Sequence, residues 1–218
     1  MISHHPAPEL LADCARGELD FGATLAVAAH IDACALCREE IALWESVGGA
    51  LLQEEMPAPL SHDAFERVAG RLDAPRPVAV RNEKKELPGY LRSFSIPGPL
   101  QALKFGRRLW VTPNIWFAPI ATPAGDSART YLVYAKPNTK LSKHTHTGRE
   151  FTVVLHGAFR DGTGLYGPGD FAETDDAILH TPTVTGESDC LCFTSADAPM
   201  RLTNPIARAI QVLTGRFY

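Results

Sequence analysis

Apolar residues recur at helical spacing through the first 72 positions and then give way to short β-rich runs. Leu10, Leu11, Cys14 and Ala15 line one face of a segment from Glu9 to Gly17, where glycine can take the left-handed conformation that ends a helix. Phe21 to His30 is rich in alanine and carries Leu25, Ala28 and Ala29 on one stripe. Arg38 to Leu52 sets Ile41, Trp44, Val47 and Leu51 at steps of three and four, the spacing of an amphipathic helix. Met56-Pro57-Ala58-Pro59 breaks it, and Ser61 can cap a fourth helix with Phe65, Val68 and Leu72 on one side. Nothing in the third and fourth segments marks a core shared between them, so the fourth is expected to be mobile or to pack on a partner.

Residues 73–89 mix prolines with charges, including Lys84 and Lys85 beside Glu83 and Glu86, and read as a solvated linker. Beyond about residue 90 the β-rich runs are Ile115–Ala121, Thr130–Ala135, Glu150–Leu155, Asp170–Glu173, Cys190–Thr194 and Arg208–Leu213, separated by Gly, Pro, Asn and Asp. That spacing predicts an all-β barrel or sandwich. The chain is therefore expected to be multidomain, α then β, with a helical domain at 1–72, a linker at 73–89 and a β domain at 90–218.

Length and composition agree with this division. The 218 residues, 45% hydrophobic and 21% charged, suit one large domain or two small ones and exclude a disordered chain. No apolar run is long enough to span a membrane, and the N-terminus lacks a basic stretch followed by an apolar one, so a cytoplasmic protein is expected. The net charge of −4 conceals a split: residues 1–72 hold 12 Asp/Glu and 4 Lys/Arg, a net of −8, and the remainder is +4. An acidic helical half would repel DNA and attract a basic protein. Five cysteines, two pairs of them very close in sequence, point in a reducing compartment to metal binding or redox chemistry rather than to staples.

His30 and Cys34 are four residues apart and face the same way on a helical turn, with Cys37 three residues later. One imidazole and two thiolates suit tetrahedral zinc, which takes four protein ligands in a structural site. His4 and His5 are the nearest candidates for the fourth. A helical unit this small has little core, and zinc would compensate. This segment, with the leading Leu10-Leu11-Ala12-Asp13-Cys14-Ala15-Arg16-Gly17-Glu18-Leu19, resembles the zinc-binding anti-sigma domain. The resemblance implies zinc held by His30, Cys34, Cys37 and an upstream histidine, for which His5 fits the family's placement better than His4. It also implies that residues 1–72 wrap around a group IV (extracytoplasmic-function) sigma factor.

In the β-rich half, His144 and His146 share one strand face, Glu150 follows four residues on, Gly157 lies beyond it, and Gly167-Pro168-Gly169-Asp170 precedes His180. The pattern resembles the two cupin motifs, with every ligand position filled. It implies a double-stranded β-barrel in which His144, His146, Glu150 and His180 hold a divalent metal. The ligand set alone does not choose among Zn, Mn, Fe, Ni and Cu, and zinc is the expected one. Together the two halves resemble the ChrR-type anti-sigma factors. The combination implies a cytoplasmic repressor without catalytic residues that binds its sigma factor and frees it under singlet-oxygen or peroxide-type stress received by the barrel. The alternative is a metal-dependent cupin oxygenase acting on a small organic substrate.

Other residues read more plainly. Cys190 and Cys192 share one strand face and are expected as small core residues, with an oxidation sensor as the competing role. Cys14 is expected in a helix core. His62 is expected in solvent, and His156 out of phase with the ligands. Trp110, Trp116, Phe117 and Phe151 are expected at the barrel core or rim.

Overall fold

The computed structural model describes residues 1–72 and 86–203. The first part is helical: α1 (Pro8–Arg16), α2 (Phe21–Ile31), α3 (Ala35–Glu54) and α4 (Ala64–Leu72). Two of the boundaries have a clear local cause. Gly17 ends α1 with φ 73°, and the carboxylate of Asp20 accepts the Ala23 N–H at the start of α2. A short turn of helix, α5 (Gly98–Gln101), precedes the strands.

The strands are β1 (Leu109–Thr112), β2 (Ile115–Pro119), β3 (Arg129–Ala135), β4 (His144–Thr145), β5 (Glu150–His156), β6 (Phe159–Arg160), β7 (Leu165–Tyr166), β8 (Phe171–Thr174), β9 (Thr183–Val184), β10 (Cys190–Ala196) and β11 (Arg201–Leu202). A six-stranded antiparallel sheet runs in the order β1-β2-β3-β10-β5-β8. Two small sheets, β11-β4 and β7-β6-β9, complete the expected barrel. Five of the six strands expected from sequence form within a few residues of their expected limits. The sixth, Arg208–Leu213, lies outside the described residues, as does most of the expected linker.

The centre of the large sheet is buried on both faces, which explains why β10 has no exposed side. Ile115, Phe117, Tyr131, Val154, Ala172, Cys190 and Cys192 form the barrel's interior cluster. The alternate residues Trp116, Leu132, Phe151, Val153, Phe171, Leu191 and Phe193 form a second cluster together with Leu10, Leu11, Leu25, Val27 and Leu100 from the helices. Helix α2 therefore lies directly on the sheet. It is apolar nearly all round, as a helix enclosed on several sides must be. Gly22 marks the closest approach: a Cβ there would lie 2.8 Å from the Ala128 Cβ and 3.2 Å from the Ser195 Cβ. Gly22→Ala should cost stability on the order of 1 kcal/mol net, because overpacking outweighs alanine's better helix propensity. A urea midpoint equal to or above the parent's would contradict this.

Helix α3 departs from its sequence reading. Only Cys37 and Ile41 of its 20 residues are buried. Trp44, Val47 and Leu51, expected on its packed face, are exposed, as are Leu43 and Leu52. No residue of α4 is buried. The amphipathic pattern is real, but nothing within the described residues covers it.

Candidate metal centres

Four local features bring the first cluster together. His5 lies in the extended segment before α1, His30 in the last turn of α2, Cys34 at the cap of α3, and Cys37 in its first turn. One ligand atom from each of His5, His30, Cys34 and Cys37 lies within 4.8 Å of the others. The His30 Nε2 is 3.3 Å from the Cys37 Sγ, and the His5 Nδ1 is 3.4 Å from both sulfurs. Bond lengths of zinc to nitrogen and sulfur make a tetrahedral N···S edge about 3.6 Å. These separations are therefore close to ligand edges around one ion. His4, the other candidate, turns away: its ring lies against Tyr166, centroids 4.3 Å apart, and its Nδ1 is 3.6 Å from Asp170.

Ligand chemistry supports the same reading. The Gly169 carbonyl can only accept, so the His30 Nδ1, 2.7 Å away, carries the hydrogen and Nε2 presents a lone pair to the cluster. Burial lowers the His30 pKa, which keeps that lone pair free. Burial and the adjacent Cys34 push the Cys37 thiol up to about 12. A bound dication reverses that preference and holds the thiolate.

The barrel cluster is assembled by strands. His144 lies on β4, bridged to His180, while His146 follows β4 and Glu150 begins β5. Ligand atoms of all four residues lie within 4.8 Å of one another, and all four side chains are buried. His144 Nδ1 donates to the Ser142 carbonyl at 2.7 Å, and His180 Nδ1 donates to Asp161 Oδ2 at 2.8 Å. Both Nε2 atoms are thus lone-pair donors, yet they stand only 3.0 Å apart. Two buried lone pairs facing each other repel unless a cation sits between them, so the donor set fits a metal. Asp161, the group that orients His180, escaped the sequence reading. Burial would raise its pKa, but hydrogen bonds from His180 and Thr163 hold it down at about 2.

Burial lowers His144 to about 4 and His146 to about 3, whereas it raises Glu150 to about 7. The two imidazoles are consequently neutral and ready to ligate throughout the physiological range, while the carboxyl of the metal-free barrel is largely protonated at pH 6. With the cysteine-containing centre already loaded, metal binding to the barrel at pH 6 should displace the proton that Glu150 holds, and barrel affinity should fall as the pH drops below about 7. Calorimetry in buffers of different ionisation enthalpy reads this directly; no proton release at pH 6 would refute it.

A cavity of about 370 Å³ adjoins the barrel cluster and is lined by Glu150, His180, Phe117, Phe159, Cys190 and Cys192 among others. The two thiols lie 3.7 Å apart. The bond to Cys190 and burial raise the Cys192 pKa well above the ordinary thiol value, so it stays a thiol. Cys14 packs, half-buried, against the helix–sheet core. His62 is exposed, and His156 stands at the far end of β5 against Phe94. Trp116, Phe117 and Phe151 are buried, while Trp110 is exposed on β1.

A third feature is exposed apolar side chains on two helices. Leu43, Trp44, Val47, Leu51 and Leu52 on α3, and Phe65, Val68 and Leu72 on α4, stay exposed in an acidic part of the sequence. An apolar display of this extent marks an interaction site. Among the described residues no helix is long and apolar enough to cross a membrane.

Residues 107–198 match the family described as the ChrR cupin-like domain. The anti-sigma-E factor ChrR of Cereibacter sphaeroides is 33% identical over 214 residues, 96% of this chain and 97% of that one. The structure is also similar to a chain in the crystal structure of Rhodobacter sphaeroides SigE in complex with the anti-sigma ChrR. It does so at 30% identity and a TM-score of 0.73, covering 90% of this chain and 100% of that one.

Proposed function

The chain belongs to the ChrR family of anti-sigma factors, and from that premise we propose that it binds and inhibits a group IV (extracytoplasmic-function) sigma factor through residues 1–72. The observation that carries this reading is the uncovered apolar face of α3 and α4, set in a segment of net charge −8. Sigma factors present basic DNA-binding and polymerase-facing surfaces, so an acidic rim around an apolar centre complements them. Residues 73–89 serve as the connection to a barrel at 90–218. His5, His30, Cys34 and Cys37 bind structural zinc that fixes the helix geometry, while His144, His146, Glu150 and His180 bind a second divalent metal, with zinc the expected ion in both. The barrel acts in signal reception rather than turnover, and oxidative damage or ligation there favours release by shifting the bound and free populations. The protein works in the cytoplasm and has no direct contact with DNA.

Co-expression with such a sigma factor should give a one-to-one complex on size exclusion and suppress sigma-dependent transcription in vitro. Failure to co-elute would overturn the proposal. The cavity beside the barrel cluster favours one other reading, an oxygenase for a small organic substrate. Oxygen consumption by the iron-loaded protein with such a substrate, without any sigma factor, would support that instead.

A further inference from the structure

The thiolate-containing cluster is closed by groups that belong to the barrel. The turn between β7 and β8 supplies two of them. The Gly169 carbonyl receives the His30 Nδ1–H at 2.7 Å. Asp170 is buried, and its Oδ1 receives the backbone N–H groups of Ser3 at 2.7 Å and His4 at 2.9 Å, while the Gly167 N–H donates to Oδ2 at 2.8 Å. The Phe171 N–H then donates to the His4 carbonyl at 3.1 Å. The peptide immediately before His5 is thus fastened to the barrel through both of its polar edges. Ile2 packs at the same turn, where a Cβ on Gly169 would come within 2.7 Å of its Cδ1.

We propose that Gly169 and Asp170 are positioning residues for the His5, His30, Cys34 and Cys37 centre, so that the barrel helps set the metal affinity of the helical part. The inference rests on reading that cluster as a metal centre. Two ligands are involved in different ways. Gly169 fixes the tautomer and ring orientation of His30, the role that outer hydrogen-bond partners play at histidine-ligated metals. Asp170 tethers the chain that carries His5. An N-terminal ligand on a free tail must lose its conformational freedom when the metal binds, whereas a tethered one has lost it already. Linkage makes the effect reciprocal: metal in the cluster tightens the seating of residues 2–5 on the barrel.

The test is a Co²⁺ titration of the full-length metal-free protein, following the near-ultraviolet thiolate-to-cobalt absorption that only the cysteine-containing centre can give. Asp170→Ala should weaken binding at this centre by about 10- to 100-fold. Ser3→Pro removes the Ser3 N–H, and with it the hydroxyl that lies 3.4 Å from Asp170 Oδ2, from the other side without touching the barrel, and leaves the His4 N–H in place. It should weaken binding less, and it should add little on the Asp170→Ala background. Parental affinity in Asp170→Ala would overturn the proposal. Should that variant lose barrel folding, seen as loss of cobalt binding at the His/Glu centre, Ser3→Pro decides: unchanged affinity there overturns the proposal. Absence of the thiolate band in the parent would instead overturn the metal reading beneath it.

Discussion

Replacing Cys34 and Cys37 together by serine should abolish co-elution with the sigma factor and remove the thiolate-bound metal while leaving the barrel metal in place. The size of the effect follows from where the two sulfurs sit. Cys34 caps α3 and Cys37 lies in its first turn, and of the rest of that helix only Ile41 is buried. The α3 helix is therefore fixed over its N-terminal part, by the metal cluster and by its packing against α1. Structural zinc in small helical units is worth roughly 10–16 kcal/mol of apparent binding free energy at neutral pH, more than the whole stability of many domains. Without it the start of α3 is held only by packing on α1, and the direction of the helix, and with it the position of Trp44 and Leu51, is less well defined. Cys34 and Cys37 lie at one edge of the core that the barrel shares with α2, whose larger members (Leu25, Val27, Leu132, Phe151, Phe193) the substitutions leave in place, so the double variant should keep a cooperative unfolding transition. Full-strength sigma binding by that folded, zinc-depleted variant would sink the structural role of the metal.

The second large effect lies on the uncovered face itself. Trp44→Ala and Phe65→Ala should each weaken sigma binding by about 30-fold or more, the scale set by aromatic anchors at interface centres. Both should cost the free protein far less stability than affinity: Phe65, 79% exposed, no more than about 0.5 kcal/mol, and Trp44, 42% exposed, about 1 kcal/mol at most. This combination separates an interface residue from a core residue. Isothermal titration for affinity and urea unfolding for stability measure the two halves. A variant that loses stability along with affinity would place its side chain in the protein's own core, and unchanged affinity in both variants would move the docking site off α3 and α4.

Much of this architecture was legible in the residues because the governing patterns are local. The helix ends at Gly17 and Asp20 obey capping chemistry, and the 144–150 and 30–37 spacings bring candidate ligands together by strand and helix geometry. What escaped was non-local. Asp161 and Gly169 matter only because the fold carries them to His180 and His30, 19 and 139 residues away, and no spacing encodes that. The two-residue strands β4, β6, β7, β9 and β11 are too short to show alternation. The face of α3 misled for a different reason. An apolar stripe states that something will be covered, not by what, and an intramolecular core is the usual answer. The same ambiguity explains α2, whose apolar residues on every side foretell enclosure but not that a sheet from the other half of the chain provides it.

The exposed stripe on α3 and α4 has a consequence for the protein's abundance. A free chain that exposes nine large apolar side chains along α3 and α4 is the kind of form that proteases and chaperones recognise, and that self-associates as its concentration rises. In the proposed complex the partner hides that same surface, so limited proteolysis should cut α3 and α4 of the free chain faster than those of the complex.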